Sequence, residues 1–327
     1  MATPPAPARA VRLCETTVAF PSAALAQIED SAALLALPDG GAALRARFAR
    51  DGFVYLRGAL GRAAVQAARE VVVAPLRARG DVFDAATGLL LPECGLGCLP
   101  NLEGANATTH APAVLGVLEG APLRAAVGAL LAAPPDALRP FDYKWLRAMP
   151  RAAFTGVHVD AVYMARGTPD LITAWIPFED AATLELGALA LLRGSHAAAS
   201  LARVRATYGR FDTEAEPGFA GSGWLTNDPA ELARGGDVEW VSGDFAAGDV
   251  ILFGLQTAHC STANTTDAVR VSCDVRWQRA GEPADDRYVG SLAEMEAKRA
   301  ARKAGGAWAA AGAGAVTMGD LRERWGI

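Results

Sequence analysis

The chain has 327 residues, 51% of them hydrophobic, but about seventy are Ala and add little apolar area, so the usable core suits one large domain or two small ones. With 31 basic against 36 acidic residues, a net charge of −5 and no basic stripe, phosphate-driven nucleic-acid binding is not expected. A 20% charged share with mean hydropathy +0.16 excludes a largely disordered chain, no apolar run reaches the roughly eighteen residues of a membrane helix, and five scattered cysteines (Cys14, Cys94, Cys98, Cys260, Cys273) make no disulfide framework.

Residues 1–40 read as an Ala/Pro-rich extension without the apolar segment of a secretory signal, so a cytoplasmic location is expected. Helical spacing then marks Arg45 to Phe53 and Arg62 to Leu76, broken by Asp51-Gly52 and Leu60-Gly61, with a short strand at Phe53-Val54-Tyr55-Leu56 between them. Residues 84–110 are rich in Gly and Pro and read as a loop, and Ala113 to Leu131 reads as a further helix. Together these form a helical front layer over 41–140.

From Phe141 the pattern changes to short period-two runs bounded by Gly, Pro, Asn and Asp, a β signature. The predicted strands are Asp142–Met149, Thr155–Asp160, Leu171–Pro177, Ala188–Leu192, Val250–Gly254 and Val269–Trp277. They make a β-sandwich or barrel core over 141–280, interrupted by a long, Gly-rich and aromatic segment, 200–240, that reads as a lid. A helical tail, 281–327, follows, with helix at Glu294–Arg302, and the chain runs on to Leu321-Arg322-Glu323-Arg324-Trp325. The expectation is a single domain, 1–327.

Only four histidines occur, His110, His158, His196 and His259. In Val157-His158-Val159-Asp160, positions i and i+2 of a strand point to one face, so an imidazole and a carboxylate converge without distortion. His259, which follows the run Gly248–Phe253, is the candidate third ligand. Two His and one carboxylate on one face of an octahedron leave three positions open, the arrangement of non-haem Fe(II) oxygenases. Downstream, Arg270, Ser272, Asp274 and Arg276 alternate with Val271, Cys273, Val275 and Trp277. The polar face is either solvent-exposed or part of the same cavity as His259; an Arg with a Ser two residues on can clamp a carboxylate. Lys144 is the single Lys of the central region.

The ordered series His158-Val159-Asp160, Ala174-Trp175-Ile176-Pro177, Gly187-Ala188-Leu189, Gly194-Ser195-His196, Ala247-Gly248-Asp249-Val250, His259-Cys260-Ser261, Asn264 and Arg270 through Arg276 resembles the phytanoyl-CoA dioxygenase family. The resemblance spans roughly residues 45–290, including the run Arg50-Asp51-Gly52-Phe53-Val54, and is nearer to bacterial small-molecule and terpenoid hydroxylases than to the peroxisomal acyl-CoA enzyme. It implies a mainly β fold, a double-stranded β-helix (jelly roll, cupin-like) with N-terminal and C-terminal helices packed on it. It further implies Fe(II) held by His158, Asp160 and His259, 2-oxoglutarate as co-substrate and O2 as oxidant. Arg270 with Ser272 would hold the distal carboxylate of 2-oxoglutarate, while Trp175, Thr173, Lys144 and Ser261 would border its pocket.

On this reading the protein hydroxylates or desaturates a small organic molecule, releases succinate and CO2, and is a monomer or weak homo-oligomer that binds neither nucleic acid nor membrane. A halogenase of the same family would have a small residue in place of Asp160. A jelly-roll binding or sensor protein that keeps a metal without turnover is the alternative from another class.

Overall fold

Strands begin earlier than the sequence pattern suggests. The computed structural model describes residues 8–78, 105–304 and 314–327. Arg9–Leu13 (β1) and Thr16–Phe20 (β2) form a hairpin inside the expected extension, followed by the short strand Ala26–Gln27 (β3). The front layer comprises Gly40–Asp51 (α1), Phe53–Leu56 (β4), Arg62–Arg77 (α2), Ala105–Thr109 (α3), Pro112–Leu118 (α4) and Ala121–Leu131 (α5). The core and tail then run Leu138–Pro140 (β5), Trp145–Met149 (β6), Ala161–Met164 (α6), Ile172–Pro177 (β7), Leu189–Arg193 (β8), Ala202–Ala206 (α7) and Ala230–Ala233 (α8). Glu239–Ser242 (β9), Val250–Gly254 (β10), His259–Ser261 (β11), Arg270–Arg279 (β12), Leu292–Ala304 (α9) and Met318–Trp325 (α10) complete the order.

One sheet has six strands in the order β4-β10-β7-β12-β5, with β6 also on β12; the other has four, β11-β8-β9-β3. Every pairing is antiparallel except that of β3 with β9. The two sheets form an open, cupin-like sandwich, with no closed barrel among the described residues.

Period-two alternation on β12 decides which way each side chain faces. Val271, Cys273, Val275 and Trp277 join Val54, Ile172, Ile176 and Leu252 and the helical residues Val65, Val117 and Val127 in one core. Phe53, Tyr55, Trp145, Trp175, Ile251 and Phe253 face the other way, into a core shared with Leu189, Leu191 and Val241 of the second sheet. The polar row of β12 is therefore internal: Arg270, Ser272, Asp274 and Arg276 are all at least 96% buried.

Several expectations need correction. The helix expected over 113–131 is two helices, because the backbone turns extended at Gly120 (φ −64, ψ 162), where a Cβ would lie 2.1 Å from the Gly116 carbonyl oxygen. By length and composition Pro112–Leu131 is apolar enough to cross a membrane, although it carries Glu119 and Arg124 and is divided at Gly120. In this fold Val114, Val117, Leu118, Leu123 and Val127 from this stretch are buried against the six-stranded sheet. Of the loop expected at 84–110, residues 84–104 lie outside the described residues, as do Cys94 and Cys98, while Ala105–Thr109 is helical.

The 200–240 segment is sewn into the fold on two sides. Val157 donates to Thr226 O and Leu225 donates to Val157 O, so the segment pairs with the chain around His158. On the other side Ala220 donates to Val316 O, Arg322 meets Glu231 at 2.7 Å, and Trp325 packs edge-on against Tyr208 and Phe211.

Trp277 is fully buried between β12 and the helices, with the Arg124 guanidinium 4.8 Å above its ring. Trp277→Ala should cost about 3–5 kcal/mol of folding stability, read from urea unfolding, since the cavity cannot collapse between sheet and helix. A loss under about 1 kcal/mol would contradict this packing.

Candidate metal centre

His158 and His259 are backbone neighbours, each donating its N–H to the other's carbonyl at 3.0 and 2.9 Å, and their rings lie 4.1 Å apart between centroids. The segment 155–160 is not the regular strand expected. It makes isolated bridges at Val157 and His158, then turns to φ −63, ψ −22 at Asp160, which caps α6. His158 and Asp160 thus converge through a strand-to-helix turn, not through one face of a strand.

The outcome is the expected cluster, with one ligand atom from each of His158, Asp160 and His259 within 4.8 Å of the others. Asp160 Oδ1 lies 3.9 Å from His158 Nε2 and 3.7 Å from His259 Nε2. Bonds of about 2.0–2.3 Å from one ion would span nearly this separation, so a small inward shift brings all three into contact. The tautomers agree: His158 Nδ1 is 2.9 Å from Gly156 O and His259 Nδ1 is 2.9 Å from Thr257 O. A carbonyl oxygen only accepts, so each Nδ1 carries the proton and each Nε2 keeps its lone pair toward Asp160.

Asp160 is held from its far side. Its Oδ2 accepts from Thr173 Oγ1 at 2.6 Å and from Arg276 Nη2 at 2.9 Å. Burial opposes its ionisation, but Arg276 and the two imidazoles outweigh burial and keep the carboxyl below the usual carboxylate range. Burial, acting first, pushes both histidines below their ordinary value; for His158 the neighbouring His259 adds to the effect. Two neutral imidazoles and one carboxylate are the charge states that ligate a divalent ion. Phe253 lies 4.6 Å from the His259 ring and Tyr163 meets the His158 ring edge-on at 5.7 Å, leaving apolar walls around the triad.

The other predicted residues divide. Arg270 is buried with its guanidinium carbon 5.7 Å from the centre of the Trp175 ring, and Ser272 on the same strand face has a buried Oγ with no hydrogen-bond partner among the described residues. Trp175 faces the same interior and packs edge-on against Phe245 at 5.4 Å. Thr173 shares that face, but its hydroxyl is committed to Asp160. Ser261 Oγ accepts from Thr155 N at 2.8 Å and anchors the start of the metal segment. Lys144 is a correction. It stands between two inward residues, Tyr143 and Trp145, and its Nζ pairs with Glu119 Oε1 at 2.7 Å and donates to Phe141 O, on the helical side of the sheet. His196 is also elsewhere, its Nε2 3.0 Å from Ala49 O at the end of α1.

Sequence reasoning gave no role to Arg276, Asp274 or Arg147. Arg276 stacks on Trp145, 4.0 Å from guanidinium carbon to ring centre, and lies 3.7 Å from Asp274, which accepts from Arg147 Nε at 2.8 Å. The period-two alternation already placed Asp274 and Arg276 beside Arg270; their partners come from β6 and the metal segment.

The model of the phytanoyl-CoA dioxygenase (PhyH) family matches residues 122–272, which include His158, Asp160 and His259, and bears out the resemblance read from the sequence. No curated protein matches the chain. Among solved structures, the non-heme alpha ketoglutarate dependent carbocyclase SnoK from nogalamycin biosynthesis superposes with TM-score 0.52 at 18% identity, over 79% of this chain and 89% of that one. The epimerase SnoN, in complex with Fe3+, alpha ketoglutarate and nogalamycin RO, gives 0.51 at 19% identity over 79% and 90%. The non-heme monooxygenase ThoJ–Ni complex gives 0.51 at 17% over 80% and 99%. At such identities the likeness establishes the fold, the expected cupin-like one.

Both histidines titrate below the ordinary 6.5, so protons compete with a metal only under more acid conditions than for exposed imidazoles. Mn(II) or Zn(II) affinity should therefore stay level as pH falls to 6.5 and decline only beneath it. A drop of about fourfold already present at that pH, the loss two imidazoles at the ordinary value would give, would mean that they are not held neutral by burial.

Proposed function

We propose that this chain is a non-haem iron(II)- and 2-oxoglutarate-dependent dioxygenase that hydroxylates or desaturates a small organic substrate, releasing succinate and CO2. The observation that carries the reading is the triad itself: two Nε2 lone pairs and one carboxylate oxygen, all buried, with the second carboxylate oxygen already bonded elsewhere. Bound there, iron with 2-oxoglutarate and O2 supplies the oxidising power for a C–H bond.

The chain's own residues do the rest. His158, Asp160 and His259 would hold the ion through one atom each and leave room for other ligands. Arg270, with the Ser272 hydroxyl beside it, binds the distal carboxylate of the co-substrate, and Trp175 forms the wall under the Arg270 guanidinium. With neutral imidazoles, the inward-facing groups are three guanidinium ions (Arg147, Arg270, Arg276) and two carboxylates (Asp160, Asp274). A divalent cation and a dianionic co-substrate add charges that cancel, so the buried balance is unchanged when both are present. Phe253 and Tyr163 exclude water beside the imidazoles.

Hydroxylation or desaturation is preferred to chlorination because Asp160 fills the ligand position that chloride would need. SnoK and SnoN, similar in fold, are described as a carbocyclase and an epimerase, and ThoJ as a monooxygenase; the shared scaffold therefore supports oxidation of a small molecule without fixing its outcome. The decisive experiment is succinate release from 2-oxoglutarate under O2 with anaerobically loaded iron, scored with product mass across candidate substrates. A mass gain of one oxygen or loss of two hydrogens is expected. Metal binding without any succinate release would instead favour a binding or sensor protein.

Arg270→Leu should weaken 2-oxoglutarate binding to the Mn(II)-loaded protein by at least about tenfold while metal affinity stays within about threefold. Calorimetry that finds unchanged 2-oxoglutarate affinity would remove Arg270 from the site. Asp160→Ala should abolish oxygenation through loss of the metal, and full activity in that variant would overturn the triad.

A further inference from the structure

We infer that Arg276 and Thr173 are positioning residues that keep Asp160 a one-oxygen ligand and thereby preserve the third open place on the ion. This rests on the proposed iron site. A carboxylate beside a divalent ion can bind through one oxygen or through both, and the second mode consumes a coordination position. Two His and a one-oxygen carboxylate leave three places; a two-oxygen carboxylate leaves two. Two-point binding of 2-oxoglutarate plus O2 needs all three.

At Asp160 the choice is made before any metal arrives. Oδ1 is the atom that faces both Nε2 lone pairs, while Oδ2 accepts from Thr173 Oγ1 and Arg276 Nη2 at 2.6 and 2.9 Å. The Arg276 bond is charge-assisted and 99% of that side chain is buried, so no water offers an exchange partner. Arg276 is itself enclosed. The Trp145 ring centre lies 4.0 Å from its guanidinium carbon, Asp274 stands 3.7 Å from its Nη1, and Arg147 holds Asp274 in turn at 2.8 Å. To swing Oδ2 onto the ion, Asp160 would have to break both bonds and withdraw from a buried guanidinium, a cost that opposes two-oxygen binding. Thr173 and Arg276 face each other in register on β7 and β12, so both donors come from the rigid centre of the six-stranded sheet rather than from a loop.

The test reads coordination, not turnover. With Mn(II) alone bound, water-proton relaxation and 17O-broadened spin resonance count the waters on the ion. The wild-type protein should hold about three, and the double variant Thr173→Val/Arg276→Met about two, because the freed Oδ2 joins the ion. Thr173→Val alone should keep about three, since Arg276 still holds the oxygen. A count of about three in the double variant with metal still bound would overturn the inference, whereas a merely structural role would weaken metal binding without changing the count. Should the double variant not fold, the wild-type protein decides. On adding Zn(II) to protein with 13C-labelled Asp, the symmetric and antisymmetric carboxylate stretches of the metal-bound group should move apart, as for one-oxygen binding. Their moving together would mean two-oxygen binding and defeat the proposal. Failure of the wild-type protein to bind any divalent ion would defeat the iron site itself, a separable result.

Discussion

Charged groups buried between two sheets persist only in partnership, and that requirement orders the centre of this protein. Asp160, Asp274, Arg270 and Arg276 are at least 96% buried, where an unpaired ion would cost several kcal/mol. The pairs run in sequence: Arg147 to Asp274, Asp274 to Arg276, Arg276 to Asp160. The first and last of these pairs join different elements, so satisfying the charges fixes β6, β12 and the metal segment against one another. The alternate residues of β12 do the converse work, burying Val271, Cys273, Val275 and Trp277 against the helices. One strand thus ties the polar centre to the apolar layer behind it, and its register cannot slip by one residue without turning four charges or polar groups into the hydrocarbon core.

The imidazoles follow the same logic at smaller scale. Each offers Nδ1–H to a carbonyl two residues earlier in its own chain, at Gly156 and at Thr257. The two rings are set by local backbone and paired by the mutual hydrogen bonds of His158 and His259. Because burial favours the neutral imidazoles, Asp160 is the one charged member of the three ligands where their atoms converge. That is a preorganised cation site, with the desolvation of its ligands already met by folding.

How much of this the sequence discloses depends on whether a feature is periodic or tertiary. The strands Phe53–Leu56 and Val250–Gly254 are read with their observed limits because alternation and flanking Gly mark them locally. The β1–β2 hairpin escapes, since Ala, Thr and Arg in an Ala-rich stretch carry little contrast between faces. Composition brought His158, Asp160 and His259 to attention, but for a reason that the structure replaces: they meet by a strand-to-helix turn and a two-residue bridge, not along a strand face. Lys144 misleads because alternation through Tyr143 and Trp145 sends it to the helical side, where Glu119 awaits at the break between α4 and α5. Parity along β6 could have told the two sides apart had the strand's inward face been known. Thr173 was read on the correct face without its bond to Asp160, as pattern gives direction and not distance.

The short metal segment has almost no secondary structure of its own, so its shape must be imposed from outside. Ser261 Oγ holds Thr155 N, Val157 pairs with Thr226 and Leu225, and Thr213 donates to Val162 O. At Gly156 a side chain would collide with Asn227 Oδ1 and the Trp224 ring, each 2.7 Å from a Cβ, so the 200–240 segment closes directly on the backbone whose carbonyl orients His158. That segment is in turn braced by the tail, through Val316 on Gly218 and Ala220, Arg322 on Leu225 O, and Trp325 on Tyr208 and Phe211. The contacts thus run from the tail through 207–227 to Gly156, whose carbonyl accepts from the His158 ring. The shape of the metal segment is therefore a tertiary property, because the residues packed on Gly156 belong to a distant stretch of chain that is itself held by the tail.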